Sequence, residues 1–336
     1  MKYKLAGLAL FIVALAVAGA AWIWNYAHSP LAFASFPKDF SISQGSSLQT
    51  AARQMTSAEV LPEPWNFIVL GRLLDKAGAI KAGEYRIEQA LTPLELLDKI
   101  TRGEVSASSI TLLEGWTFRQ LRVALNRKEQ LKHDSEKLSD AEILAHIGAG
   151  EADAEGLFFP DTYSFDKGSS DLDLLKRAYI QMNAHLMRLW EERDDDLPFQ
   201  NPYEALIMAS IVEKETGQSP ERGMIAAVFV NRLKLNMKLQ ADPTVIYGLG
   251  EKFDGNLKKT DLFADNPYNT YSRIGLPPTP IAMPGLGSLK AVLNPPDSDV
   301  LYFVARGDGT SHFSESLVEH NKAVAKYQKS LRRNTQ

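Results

Sequence analysis

Hydrophobic and polar positions divide the chain into three regions. Residues 5–24 form an uninterrupted run without a charge, preceded by Lys2 and Lys4 and closed by Trp22, Trp24 and Tyr26. Twenty helical residues span roughly 30 Å, the thickness of a bilayer core. The two lysines place the N-terminus inside and the rest of the chain outside, and the aromatic residues suit the interface. The pattern Ala18-Gly19-Ala20 also reads as a signal-peptidase site, but the run exceeds an h-region of about 7–15 residues. A retained anchor is the expectation. Residues 1–4 are then a cytoplasmic tail and residues 25–39 a juxtamembrane linker.

Residues 40–105 predict a small α/β unit. Ser46 and Ser47 open a helix reaching Met55. Residues 64–77 carry Trp65, Phe67, Ile68, Val69, Leu70, Leu73 and Leu74 at helical spacing. Gly83–Ile87 alternates as a strand. Thr92-Pro93-Leu94-Glu95 is a capping box with proline at the first helical position, and its helix stops at Gly103. No candidate acid stands in an apolar stripe here.

Residues 106–331 predict a larger α+β domain. A strand at 110–113 precedes Glu114-Gly115-Trp116, and Thr117 opens a helix. An aromatic loop at 155–163 follows, then a long amphipathic helix at 170–193. A further helix begins at Asn201, and Ser219-Pro220-Glu221 starts one that runs to about Leu235. Residues 240–296 are rich in Pro, Gly, Asn, Asp and Tyr with little helical period. A long irregular stretch in a folded domain is functional or disordered, and its tyrosines and leucines argue against disorder. A hairpin at 300–313 turns on Gly307-Asp308-Gly309, and the last helix covers 315–331.

The helix from Asn201 carries the chemistry. Asn201 caps it, Pro202 suits its first position, Glu204 completes a capping box, and Gly217 is the expected left-handed residue after its end. Met208, Ile211, Val212 and Glu215 share one stripe. Glu213 stands about 200° away from Glu215 on the helix. A carboxyl prolonging an apolar face is desolvated and holds its proton nearer neutrality, which suits a general acid. Any single Glu-x-Glu pair is more often solvated surface, and negative charge at a helix C-terminus opposes the macrodipole.

The chain has 336 residues, formal net charge −4, pI about 5.9 and no cysteine. The charge gives no footprint for nucleic acid, and the missing thiols exclude disulfides, thiol catalysis and thiolate metal sites. The six histidines form no metal-binding spacing, so no metal and no cofactor is expected. Gln240, Asp242, Tyr247, Asn269 and Tyr271 in the long loop offer the amides, carboxylate and aromatic rings of a carbohydrate groove. Each alone reads equally as a turn residue bonding its own backbone.

Five stretches in this order resemble the YceG-like family of endolytic murein transglycosylases: EGLFFPDTY at 155–163, ASIVEKET at 209–216, LQADPTVIYG at 239–248, YNTY at 268–271 and GLPP at 275–278. The resemblance covers nearly the whole chain. It implies a LysM-like module at residues 40–105 and a YceG-like catalytic domain at residues 106–331. It also implies peptidoglycan glycan strands as substrate, cleaved between MurNAc and GlcNAc to leave 1,6-anhydroMurNAc ends and terminate elongation. The implied location is the bacterial inner membrane, single-pass, with the catalytic domain periplasmic and cell-wall synthases as further partners. It places the catalytic acid at Glu215, with Glu213 supporting. A non-enzymatic peptidoglycan-binding scaffold and a water-using muramidase are the alternative readings.

Overall fold

The computed structural model describes residues 2–104 and 108–334. The expected domain boundary at residues 105 and 106 lies outside the described residues. The chain divides into two compact units, residues 1–108 with 164–167, and residues 109–163 with 168–336.

The first unit begins with helix α1 (Lys2–His28), followed by strand β1 (Lys38–Ile42), helices α2 (Leu48–Ser57) and α3 (Trp65–Leu73), strand β2 (Gly83–Ile87) and helix α4 (Pro93–Arg102). α1 is long and apolar enough to cross a membrane: Leu10–His28 has mean hydropathy 1.8. Its side chains from Leu10 to Val17 stand exposed, as a lipid-facing surface requires. The helix continues past Trp24 to His28, into the stretch expected as a juxtamembrane linker. Ala27 and Leu31 are buried in the unit's core with Ile23, Tyr26 and Phe33 packed beside them. β1, which sequence reading missed, pairs antiparallel with β2, with Phe40 opposite Tyr85 and their rings stacked at 5.2 Å. α2 and α4 start at Ser47 and Thr92 as the caps dictate, and Thr92 and Glu95 form the reciprocal capping box. α3 stops at Leu73, four residues short of expectation, because Asp75 adopts φ 54 and Lys76 N–H closes back on the Gly71 carbonyl.

Strands β3 (Ser108–Thr111) and β4 (Thr162–Phe165) form a second two-stranded sheet. The second unit is mostly helical. Its elements are α5 (Phe118–Asn126), α6 (Asp140–Ile147), α7 (Asp171–Glu191), α8 (Pro202–Glu215), α9 (Arg222–Lys234), α10 (Asp242–Leu249), α11 (Lys259–Leu262), α12 (Leu286–Leu293), the antiparallel hairpin β5 (Tyr302–Ala305) and β6 (Ser311–Ser314), and α13 (Leu317–Asn334). α8 is the axis of this unit. Residues 205–212 are all buried, and α7, α9, α10 and α12 pack around it. A helix apolar on every side is a core helix, so the single-stripe reading was too narrow.

Three local expectations change. Glu204 does not close a capping box with Asn201; its carboxylate takes the Gln200 N–H at 2.7 Å. Gly217 is not left-handed. Thr216 ends α8 in an extended conformation (φ −141), and its hydroxyl accepts the Gln218 N–H at 2.9 Å. The stretch at 240–296 holds three short helices, α10, α11 and α12, of at most eight residues each, too brief for a periodic signal.

Candidate active site

α8 delivers Glu213 and Glu215 at its last turn, and the structure sends them to different places. The Glu213 carboxylate accepts the Gly285 N–H at 3.0 Å and the Ser288 hydroxyl at 2.7 Å. Both groups belong to the N-terminal turn of α12, where negative charge is favoured by the helix dipole. Arg222 lies 3.6 Å from the same carboxylate, and both side chains are nearly buried at 12% and 6% exposure. Glu213 therefore fastens α12 to the end of α8. Both carboxylates of the pair are enclosed, although they stand about 200° apart on α8.

Glu215 has the opposite character. Its Oε2 is buried and has no hydrogen-bond partner. Burial pushes its carboxyl up to about 7, and the Asp242 carboxylate adds to the rise, while the Arg232 guanidinium opposes it. A carboxyl raised toward neutrality, with an Oε2 that meets no partner in the protein, is placed to give a proton to a bound molecule.

Asp242 opens α10, and the Tyr271 hydroxyl donates to its Oδ1 at 2.5 Å. Burial pushes the Tyr271 hydroxyl up, with the charges of Asp242 and Glu215 adding to it. Arg232 on α9 is buried and held by backbone: Nε donates to the Leu301 carbonyl at 2.7 Å and Nη1 to the Leu239 carbonyl at 2.7 Å. Its guanidinium lies 5.2 Å over the Tyr302 ring. Glu215, Asp242, Tyr271 and Arg232 thus form one electrostatic group: two carboxyls, a phenol and a fixed cation.

The loops carrying this group are held internally. Gln240 is exposed in a left-handed conformation (φ 53), and its N–H donates to the Thr270 carbonyl at 3.1 Å. A non-glycine residue at positive φ beside a candidate acid is backbone strain of the kind that collects at functional sites. The Thr270 hydroxyl takes the Ala241 N–H and meets the Thr244 hydroxyl at 2.9 Å. Asn269 is buried, and its amide donates to the carbonyls of Asp261, Leu262 and Ala264 while its Oδ1 accepts the Tyr271 N–H at 2.9 Å. These bonds use both protons of its amide and one of the two acceptor sites of Oδ1. Asn269 thus holds the loop together and places Tyr271.

Tyr247 belongs elsewhere. Its hydroxyl donates to Glu155 Oε2 at 3.1 Å, and its ring meets Tyr268 edge-on at 4.9 Å. Glu155 is buried, and burial pushes its carboxyl up to about 7 against the Phe118 N–H at 2.9 Å and the Tyr247 hydroxyl. The following Gly156, at φ 78, sits where a Cβ would meet Pro280 at 2.4 Å. Glu155 thereby ties the start of α5 to α10. Sequence reading quoted Glu155 only within an aromatic loop and missed Arg232. The position of Arg232 among Ile225, Val228 and Phe229 at i, i+3, i+4 and i+7 is the signal that marks it as a buried cation.

Among the described residues no cluster of His, Asp and Glu has the arrangement of a metal site. The arrangement suits proton delivery to, and recovery from, a bound molecule.

Comparison with known proteins gives concordant matches. The YceG-like family model matches residues 40–326. An endolytic murein transglycosylase of Bacillus subtilis is 33% identical over 307 residues, covering 86% of this chain and 84% of that protein. One from Streptococcus pneumoniae is 27% identical over 319 residues, covering 80% of this chain and 57% of that longer protein. The crystal structure of a YceG-like protein from Listeria monocytogenes superposes with TM-score 0.54 at 29% identity, covering 85% of this chain and 98% of that one.

Proposed function

The chain belongs to the YceG-like family, and from that premise we propose that it is a lytic transglycosylase that cleaves peptidoglycan glycan strands internally. The observation that carries this reading is the buried, unpartnered Oε2 of Glu215 beside Asp242, Tyr271 and Arg232. Glu215 protonates the glycosidic oxygen between MurNAc and GlcNAc, and that C–O bond breaks. The Glu215 carboxylate then takes the proton of the muramyl C6 hydroxyl, whose oxygen closes on C1. The product is a 1,6-anhydro ring, Glu215 regains its proton, and no water is consumed.

Each neighbour has a part in this cycle. Asp242 keeps Glu215 protonated at the start. Arg232 stabilises the carboxylate that exists between the two proton transfers. Tyr271, oriented by Asp242 and Asn269, and the exposed Gln240 face the sugar. A muramidase using two carboxylates would need a second free one. Glu213 is engaged by Gly285, Ser288 and Arg222, and Asp242 by the Tyr271 hydroxyl, which favours the single-acid cycle.

The pH profile tests this assignment. The free protein must carry the Glu215 proton, so kcat/KM on soluble strands is expected to fall as pH rises through about 7. Asp242→Asn removes a charge that raises the Glu215 value, so the falling limb should move to lower pH. A limb that stays in place, or moves upward, would remove Glu215 as the acid or Asp242 as its neighbour.

In the same reading α1 is a retained inner-membrane anchor, with Lys2 and Lys4 inside and the catalytic domain in the periplasm. Residues 40–104 form a LysM-like unit that orients glycan through a polar groove of about 630 Å³ lined by Arg86, Glu88, Gln89, Glu95 and Lys99. A membrane-bound strand-polymerising synthase supplies the substrate. N-terminal sequencing of the mature protein is expected to find the residues of α1 intact; a mature terminus just after Ala20 would contradict retention.

A further inference from the structure

One surface of the catalytic unit takes no part in the chemistry above. Trp116 and the side of α5 bearing Arg119, Gln120, Val123, Ala124 and Arg127 line a groove of about 320 Å³. The positions recur at helical spacing, so they form one continuous face. Val123 is 43% exposed. Arg119 pairs with Glu251 at 2.6 Å, but both side chains are largely in solvent, so the pair exchanges readily. Arg127 enters no ion pair among the described residues. The chain has formal net charge −4, so this cationic strip runs against its overall sign.

The groove starts where α8 ends. Lys214, between Glu213 and Glu215, donates to the Gly115 carbonyl at 3.1 Å. Gly115 N–H donates to the Met283 carbonyl at 2.9 Å, and Met283 N–H returns to the Trp116 carbonyl at 2.8 Å. The backbone of Trp116 is thus fixed to the last turn of α8 and to the loop before α12.

We propose that the Trp116–α5 face is an extended subsite for the peptidoglycan strand beyond the cleavage point. The indole takes the apolar face of a sugar ring, and the amide N–H groups of Gln120, whose Oε1 accepts the Thr117 N–H at 2.9 Å, reach its hydroxyls. Arg127, joined by Arg119, takes the terminal carboxylate of a stem peptide. The shape and charge fit a polyanion-bearing sugar chain: an open, elongated groove with an aromatic plate at one end and guanidinium forks along it. The assignment rests on reading the Glu215 site as glycan-cleaving.

The test is equilibrium binding by the full chain in detergent, carrying Glu215→Gln to prevent turnover. Two probes are used: uncross-linked strands bearing stem peptides, and the same strands stripped of peptides by an amidase. Arg127→Glu, at an exposed position, should weaken binding to stem-bearing strands by roughly tenfold and leave stripped strands nearly unaffected. Trp116→Ala should weaken binding to both probes by a similar factor, roughly tenfold. Unchanged binding of both probes by Arg127→Glu and by Trp116→Ala with a parental melting temperature would overturn the subsite. So would equal weakening of both probes by Arg127→Glu, because the stem carboxylate would not be its ligand. If the chain with Glu215 intact releases no cleaved product while Arg127→Glu and Trp116→Ala weaken binding as expected, the catalytic reading fails and the face stands as a strand-binding surface.

Discussion

Replacing Glu215 by glutamine is expected to slow strand cleavage by at least about a hundredfold, the scale of general acid–base catalysis. The same substitution should stabilise the protein above neutral pH. The folded-state carboxyl sits near 7, above its ordinary value of 4.5, so the native protein holds a proton that the unfolded chain releases. Stability from this group is fully present below about 4.5 and is lost as pH rises through about 7. Glutamine has no charge to bury, so it avoids that loss, on the order of 1–3 kcal/mol at pH 8. Melting curves at pH 5 and pH 8 check this directly: the variant should gain over the parent mainly at pH 8. Glu213→Gln should do the reverse, losing stability by weakening its hold on Arg222 and α12 and affecting turnover less. Near-parental activity in Glu215→Gln beside an inactive, stable Glu213→Gln would exchange the two roles.

Asn269→Ala carries the second largest expected effect. It strips the amide from three carbonyls of residues 261–264 and the acceptor from Tyr271 N–H, all within a buried loop. Leaving such groups unpaired costs about 2–4 kcal/mol. Tyr271 and Asp242 are mutually bonded, so freeing one loosens the other, and a misplacement near 1 Å lowers turnover by on the order of 10–100-fold. Asn269→Asp should be no better, because a carboxylate would face those same carbonyl oxygens. A variant of Asn269 that melts like the parent but binds strands weakly would instead restore a direct contact with sugar.

What was legible in the sequence follows the range of each signal. Caps are local, so Ser47, Thr92, Thr117 and Asn201 open their helices as expected. The hairpin of β5 and β6 follows from its glycine turn in the same way. The apolar run of α1 was equally plain, though not its continuation into a buried core at Ala27 and Leu31. Helices of eight residues or fewer, such as α10 and α12, complete barely two turns and leave no measurable period. Glu215 was found by motif and by stripe, yet the stripe was a partial truth. α8 is buried all round, and what separates its two glutamates is partners, not exposure. Partners are long-range: Glu213 meets residues more than 70 positions away. Long range also hid the Arg232 bond to Leu301, 69 positions on, and the Tyr247 bond to Glu155, 92 positions back.

Product mass after digestion of purified glycan strands tests the central claim most directly. Strands incubated with the full chain should yield internal fragments whose new muramyl ends are lower in mass than reducing ends by one water. Glu215→Gln should leave the strands intact while still binding them. Reducing muramyl ends from the parent would mean that water is the nucleophile, and uncut strands held tightly by the parent would mean a binding scaffold. Either result would contradict the single-acid, anhydro-forming cycle assigned to Glu215.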